Sequence, residues 1–77
     1  MDTNQKIGII IKKLRIDKSM SQEKLALLAN IDRTYISDIE KGERNVSVEI
    51  LEKLTNTLEI SISELFKRVE NYEKSPG

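Results

Sequence analysis

Residues that cap helices recur at short intervals along this 77-residue chain and divide it into five segments of helical periodicity. Candidate N-caps are Thr3, Ser21, Asp32 and Ser47, and a Ser-x-x-Glu capping box begins at Ser61. The sequence therefore predicts an all-α fold, built as one compact domain of five short helices. These helices are expected at residues 3–17, 22–29, 33–41, 48–58 and 62–70, followed by a frayed polar tail at 71–77.

The apolar residues of these segments recur at helical spacing, which predicts one buried face on each helix. Arg15 and Glu40 flank this face, so we interpret them as an internal structural ion pair rather than as binding residues. A core from so short a chain is small, and a partner subunit would add stability. The predicted inward residues of the first four segments are Ile7, Ile10, Ile11, Leu14, Leu25, Ala26, Leu28, Ala29, Ile36, Ile39, Val48, Leu51, Leu54 and Leu58.

Composition excludes several classes of function. Cysteine and histidine are both absent, which removes disulfides, thiol nucleophiles and the commonest zinc ligands. We therefore expect no cofactor, no metal and no catalytic residue, and hence no enzyme. The longest apolar runs, such as residues 9–11, are far shorter than the roughly 20 residues of a membrane span. The absence of disulfides indicates a reducing cytoplasm, so we expect a cytoplasmic protein.

Positive and negative charges balance in the whole chain but are distributed unevenly between its two halves. The 13 basic and 13 acidic residues give a formal net charge of +0, so composition alone leaves nucleic-acid binding open. Residues 1–44 contain nine Lys or Arg and seven Asp or Glu, whereas residues 45–77 contain four and six. An anionic partner is therefore expected to bind the first half of the chain.

The second and third segments have the pattern of a helix-turn-helix, in which two short helices and a tight turn meet steric demands at fixed offsets. Ala26 is small where the helices would cross, Ile31 fills the turn, and Gly42 follows the third segment as a left-handed C-cap residue. Asn30 stands at the turn position where glycine is usual, and asparagine tolerates the left-handed conformation. Paired helices also occur in proteins that do not bind DNA, so the apolar pattern leaves the function open.

The residues left on the outer face of the third helix can contact DNA. Arg33 can pair with guanine or phosphate, Thr34 can contact base edges, and Tyr35 can bind phosphate or pack on bases. These residues begin the helix and would enter the major groove first. Polar residues near the neighbouring helix ends could bind the phosphate backbone. The predicted DNA-binding residues are Gln22, Arg33, Thr34, Tyr35, Ser37, Arg44 and Ser47.

The fifth helix has more apolar surface than a terminal helix of so small a domain can easily cover. A single reading helix contacts only about half of a DNA site, and two-fold symmetry doubles the contacts. We therefore predict a homodimer whose interface includes Ile60, Ile62, Leu65, Phe66 and Val69. The alternative is that these residues close the core of the monomer.

Two stretches of the sequence resemble a known family. Residues 21–26, Ser-Gln-Glu-Lys-Leu-Ala, and residues 36–42, Ile-Ser-Asp-Ile-Glu-Lys-Gly, resemble the Cro and phage-repressor type of helix-turn-helix regulator. Within that family, residues 32–37, followed by Glu40 and residues 42–45, closely resemble the controller proteins of bacterial restriction-modification systems. The resemblance covers nearly the whole chain.

This resemblance implies a lambda-repressor-like fold and a homodimer on paired, near-palindromic operators in double-stranded DNA. Such a controller activates transcription from one operator and represses it once the second is filled. The resemblance also implies that Arg33, Thr34 and Tyr35 read or grip DNA. It places Arg44 and Ser47 on the DNA backbone.

Two further interpretations concern protein partners. Activation would require contact with RNA polymerase, and Glu23, an acidic residue near the start of the second helix, is the candidate contact. The alternative function is that of an antitoxin or protein-interaction adaptor with a helix-turn-helix fold. Antitoxins of this fold usually carry a toxin-binding segment, and we expect the short stretch after Val69 to be too small to supply one.

Overall fold

Five α-helices form the described part of the molecule. The structure is a computed structural model, and it describes residues 1–72. The helices are α1 (Thr3–Asp17), α2 (Gln22–Ala29), α3 (Arg33–Glu40), α4 (Val48–Thr57) and α5 (Ile62–Tyr72). Residues 1–72 contain no β-strand, and the predicted all-α, five-helix fold is confirmed. Within the same residues, no helix combines the length and the apolar character needed to cross a membrane.

The helix ends differ from the predicted ones mainly in α5. Helices α3 and α4 each end one residue early, whereas α5 continues to Tyr72. The predicted fraying is therefore wrong for residues 71 and 72. Tyr72 is partly buried against the core, and the Lys13 ammonium lies 5.7 Å from its ring centroid, so the last turn of α5 has packing partners. The remainder of the predicted tail, residues 73–77, lies outside the described residues.

Short polar side chains begin the helices. The N-cap of α1 is Asp2 and not Thr3, because Asp2 Oδ1 accepts a hydrogen bond from the Gln5 backbone N–H at 2.8 Å. Gln5 Oε1 in turn accepts the Asp2 backbone N–H at 2.9 Å, which completes a capping box that was not predicted. The other three predicted N-caps, which accept backbone N–H groups at 3.0, 2.8 and 3.2 Å, are Ser21, Asp32 and Ser47.

Ser61 forms only half of its predicted capping box. Its Oγ accepts the Glu64 backbone N–H at 3.0 Å, but the Glu64 carboxylate is bound by Arg68 Nε at 3.1 Å. The two predicted turn residues adopt the expected left-handed conformation. Asn30 has φ 58° and ψ 50°, and Gly42 has φ 74°, so the chain reverses sharply after both α2 and α3.

The core is formed by apolar residues from all five helices, and two predicted members are wrong. Leu28 is 51% exposed and Val48 is 66% exposed. The buried face of α2 is defined by Leu25, Ala26 and Ala29, and Leu28 lies about 100° around the helix from the centre of that face. Val48 is the first residue of α4, whereas the buried face of that helix is defined by Leu51, Leu54 and Thr55.

Part of the predicted dimer interface lies inside the monomer. Leu65 is 0% exposed and Val69 is 5% exposed, so the prediction that they contact a second subunit is wrong. Helix α5 packs on α1 and α4, and both side chains belong to the buried core. Ile60 and Ile62 are partly buried and Phe66 is exposed, so only the outer part of the predicted patch remains at the surface.

Helix α3 is fixed by close contacts with α1 and α2. A Cβ atom at Gly8 of α1 would overlap the Ile39 backbone carbonyl oxygen, so the two helix backbones approach as closely as glycine allows. Ile36 and Ile39 are both 0% exposed. These contacts set the rotation of α3 about its axis and determine which of its side chains face outward.

Candidate nucleic-acid interface

The outward face of α3 is polar from its first residue. Arg33 and Thr34 are exposed in the first turn, and Tyr35 is partly buried against the core. One turn later, Ser37 and Asp38 are partly buried on the same side. The helix therefore presents a guanidinium and a hydroxyl at its N-terminal end.

A continuous set of hydrogen bonds joins the C-terminal end of α3 to this exposed first turn. Arg15 donates from Nε to Glu40 Oε2 at 2.7 Å and from Nη2 to Glu40 Oε1 at 3.0 Å. Gln22 donates from Nε2 to Glu40 Oε1 at 3.0 Å and accepts from Arg33 Nη1 at 3.2 Å. Through its other terminal nitrogen, Arg15 also donates to the Met20 carbonyl at 2.7 Å. The ion pair thus orients Gln22, and Gln22 restricts the orientation of Arg33.

The Arg15–Glu40 ion pair at the centre of this network is shielded from solvent. The two side chains are 11% and 4% exposed, respectively. The hydrogen bond to the Glu40 carboxylate raises the pKa of Arg15 above its ordinary value, and the negative charge of Glu40 adds to this effect while burial opposes it. The pairing expected from the sequence is present, and both charges are satisfied within the fold.

A second group of contacts holds Arg44, which lies in the loop between α3 and α4, against the side of α3. Arg44 Nη2 donates to Asp38 Oδ2 at 3.0 Å, and the guanidinium carbon lies 4.3 Å from the Tyr35 ring centroid. The side chains of Arg44 and Asp38 are 44% and 29% exposed. We call these three residues, Tyr35, Asp38 and Arg44, the Arg44 cluster. It places a cation beside the outward face of α3.

The loop that carries Arg44 is tied to the start of α1. Asn4 Nδ2 donates to Asn45 Oδ1 at 2.6 Å, across 41 positions of sequence. A Cβ atom at Gly42 would meet Gln5, so the loop backbone also lies directly on α1. At its far end the loop runs into Ser47, whose Oγ caps α4 while the residue stays exposed. The position of Arg44 is thus set by three different elements of the fold.

The structure brings four of the seven predicted DNA-binding residues into two contacting pairs, Gln22 with Arg33 and Tyr35 with Arg44. Thr34 is exposed next to Arg33 in the chain, and Ser37 is partly buried on the same helix. Ser47 lies at the start of α4 and is occupied as a helix cap.

The pairings of Asp38 with Arg44 and of Asn4 with Asn45 are among those that were not predicted. Asp38 had one usable signal, because it follows Thr34 by four residues and therefore shares its helix face. The Asn4–Asn45 pair had no such signal, because a contact between residues 41 positions apart produces no helical periodicity in the sequence.

The geometry of α2, the turn at Asn30 and α3 is that of a helix-turn-helix, and a comparison with protein families agrees. The family model described as Helix-turn-helix matches residues 11–65, which contain both helices. The chain therefore belongs to the helix-turn-helix family.

Closer relatives are controller proteins. The chain is 47% identical over 70 residues to the control protein C.MunI of Mycoplasma sp, covering 90% of this chain and 95% of that protein. It is 45% identical over 70 residues to the control protein C.BamHI of Bacillus amyloliquefaciens, covering 87% of this chain and 86% of that one. The predicted resemblance to restriction-modification controllers is confirmed, and the chain belongs to this group.

Solved structures agree with this assignment. The wild-type restriction-modification controller protein C.Esp1396I superposes with a TM-score of 0.89 at 36% identity, covering 100% of this chain and 99% of that chain. C.Esp1396I has also been solved as a tetramer in complex with its natural 35 base-pair operator, and that structure matches with a TM-score of 0.87 at 37% identity, covering 97% of this chain and 99% of that one.

Proposed function

We propose that this chain is a sequence-specific DNA-binding transcription regulator that controls a restriction-modification operon as a homodimer. The observation that carries the proposal is the exposed Arg33 at the start of α3, on a helix whose rotation is fixed by buried Ile36 and Ile39. A rigid helix that presents polar side chains from its first turn fits the major groove of DNA.

The outward residues of α3 would read the bases. Arg33 can donate two hydrogen bonds to guanine O6 and N7, and the contact with Gln22 would hold it ready to do so. Thr34 offers a hydroxyl and a methyl group to neighbouring base edges. Tyr35 and Ser37 lie farther toward the core and would reach the sugar-phosphate edge of the groove.

Three residues around α3 would grip the phosphate backbone. Gln22 and Ser47 stand at the N-terminal ends of α2 and α4, where backbone N–H groups favour anions. Arg44 adds a full positive charge on the neighbouring loop. Phosphate contacts of this kind fix the register of the protein on the duplex, so that the outward residues of α3 meet defined base pairs.

The operator complex of C.Esp1396I supports binding to paired half-sites, because a tetramer brings two dimers, each with two reading helices, to one operator. By analogy, the chain would bind a near-palindromic double-stranded operator and activate transcription when one operator is occupied. It would repress once the second is filled. It would act by binding alone, without enzymatic activity, in the bacterial cytoplasm and on the nucleoid when bound to DNA.

The dimer interface would use the outer edge of α5 and the residues before it. Phe66 is 39% exposed, Ile60 is partly buried against the core and Ile62 is partly buried, which leaves an apolar edge rather than a full helix face. A two-fold axis at this edge would bring the same residues of two chains together and would present two copies of α3 in opposite directions along the duplex, as a near-palindrome requires.

Activation would further require a contact with RNA polymerase, and Glu23 is the proposed residue. It is exposed in the first turn of α2, and its charge is not used by any ion pair within residues 1–72. Glu23→Lys should abolish activation in a reporter assay and leave operator affinity unchanged. Loss of both together would show that Glu23 acts on DNA binding and not on polymerase.

Selection from a pool of duplexes with a randomised segment tests the proposed function. The wild-type chain should enrich a near-palindrome with two half-sites. Arg33→Ala should relax the preference at one position of each half-site, whereas Lys12→Ala, which removes the same charge from an exposed site on α1, should enrich the wild-type motif. Failure of the wild-type chain to enrich any motif would contradict sequence-specific binding.

A protein-interaction adaptor is a second candidate, and one observation favours it. Leu27 is 74% exposed and Leu28 is 51% exposed on the outer side of α2, next to Glu23 one turn earlier. Leu27→Ser should leave the enriched DNA motif unchanged if DNA is the primary partner. If the protein is an adaptor, neither the wild-type chain nor the Leu27→Ser variant should enrich a DNA motif in the selection.

A further inference from the structure

The Arg44 cluster contains the Asp38 carboxylate, which binds the guanidinium of Arg44. Arg44 is one of the proposed phosphate contacts, yet its guanidinium is already bound to Asp38 Oδ2 at 3.0 Å and lies over the Tyr35 ring at 4.3 Å. A guanidinium held in this way cannot give its full charge-assisted hydrogen bonds to a phosphate without giving up part of this arrangement. We propose that Asp38 is an internal counter-ion that lowers the affinity of Arg44 for DNA phosphate, and this inference rests on the proposed DNA-binding function.

The geometry supports an exchange rather than a permanent structural bond. The Arg44 side chain is 44% exposed, so one side of the guanidinium is open to a phosphate oxygen. By contrast, the Arg15–Glu40 pair is 11% and 4% exposed and lies inside the fold. An exposed ion pair is weak in water and is replaced readily by a second anion, whereas a buried pair is not.

The remaining contacts keep Arg44 in place during such an exchange. The Asn4–Asn45 hydrogen bond at 2.6 Å fixes the residue next to Arg44 in the loop, and it does not involve the guanidinium. The Glu43 backbone N–H donates to the Asp38 carbonyl at 3.0 Å, which ties the loop to α3 through main-chain atoms. Arg44 can therefore turn from Asp38 to a phosphate by side-chain rotation, while the loop stays fixed.

The consequence for function is a lower affinity for DNA of any sequence. Phosphate contacts supply nearly all of non-specific binding, and every competing site in a genome offers phosphates. A counter-ion on Arg44 weakens these contacts without removing Arg33 or Thr34 from the base edges. In a chain with a formal net charge of +0, Asp38 thus reduces the time spent on non-operator DNA.

Asp38→Asn is the variant that tests this inference, because the amide keeps the size and polarity of the side chain but not its charge. Fluorescence anisotropy should give a dissociation constant about two- to fivefold lower than that of the wild type, for both a selected operator duplex and a scrambled duplex. Glu43→Gln is the matched control, since it removes one negative charge from an exposed position in the loop that carries Arg44. Its effect should be smaller, and urea unfolding should verify that both variants are folded.

A double-mutant cycle decides whether Asp38 acts through Arg44. In an Arg44→Ala background, Asp38→Asn should tighten binding no more than Glu43→Gln does. Arg44→Ala alone should reduce the slope of log affinity against log salt by about one, as expected for one lost phosphate contact. Tightening by Asp38→Asn of the same size with and without Arg44, or no tightening at all, would overturn the inference while leaving the proposed function intact. If the wild-type chain bound neither duplex, both the function and the inference would fail.

Discussion

Arg15 Nε lies 2.7 Å from Glu40 Oε2, although the two residues are 25 positions apart in the sequence. This bond joins α1 to the last residue of α3 and places the Glu40 carboxylate where Gln22 can bind it. Because Gln22 also accepts from Arg33, the ion pair connects the stability of the fold to the orientation of the proposed base-reading residue.

Glu40→Ala tests the structural side of this connection. Removal of the carboxylate leaves the Arg15 charge without a partner in a site that is 11% exposed. We expect the free energy of unfolding, measured by urea titration, to fall by about 3 kcal/mol, a large fraction of the stability of a chain of this size. The double variant Arg15→Met with Glu40→Leu should lose less than Glu40→Ala, because no unpaired charge remains. A Glu40→Ala variant as stable as the wild type would contradict this account.

Gly8→Ala tests the close approach of α1 and α3. Alanine in a helix interior is normally more stable than glycine by about 1 kcal/mol. At Gly8 the added methyl group would overlap the Ile39 carbonyl oxygen, so we expect a loss of about 1 to 3 kcal/mol in urea unfolding. Lys12→Ala, at an exposed position of the same helix, is the control and should change stability by less than about 0.5 kcal/mol. A more stable Gly8→Ala variant would mean that the two helices are farther apart.

Substitution of the neighbouring residues Leu65 and Phe66 should affect different properties, the folding free energy for Leu65 and dimerisation for Phe66. Leu65 is 0% exposed, so Leu65→Ala should cost about 2 to 5 kcal/mol of folding free energy. Phe66 lies at the proposed dimer edge, so Phe66→Ser should leave the unfolding of the monomer nearly unchanged and shift sedimentation equilibrium toward the monomer. A Phe66→Ser chain that remained dimeric at micromolar concentration would place the interface elsewhere.

The contact between Lys18 and Glu59 gives a prediction for acid pH. Lys18 Nζ lies 2.9 Å from Glu59 Oε1, and this hydrogen bond, together with the lysine charge, lowers the pKa of Glu59 below its ordinary value of 4.5. A carboxylate whose pKa is lower in the folded state adds stability above the unfolded pKa, and that stability is lost as the pH falls through the folded pKa. Glu59→Gln should therefore be less stable than the wild type near neutral pH, and the two urea midpoints should converge in acid. A difference that grew as the pH fell would contradict the assignment.

Features of the fold that depend on local sequence could be predicted. Ser21, Asp32 and Ser47 cap their helices as expected, and Asn30 and Gly42 adopt left-handed turns, because each conformation is determined within a few residues. Thr3 was the exception, since a neighbouring carboxylate at Asp2 competes for the same backbone N–H group.

Features that depend on packing between helices could not be predicted. Leu28 and Val48 match the helical period, but the period does not reveal how far a short helix is rotated against its neighbours. For the same reason an apolar α5 could equally cover the monomer core or a partner, and Leu65 turned out to do the former. Polar contacts between distant segments, such as that of Asn4 with Asn45, depend on loop geometry and leave no pattern in the sequence.

We propose that the outward face of α3 reads a particular DNA sequence. A fluorescence-anisotropy titration tests this reading, with the purified chain titrated against the duplex directly upstream of its own gene and against a scrambled duplex at the same near-physiological salt. The salt must match because phosphate contacts alone produce affinity. We predict tight binding to the upstream duplex, with two chains per pair of half-sites, and binding to the scrambled duplex that is weaker by about a thousandfold or more. Equal and weak binding to the two duplexes would contradict the claim.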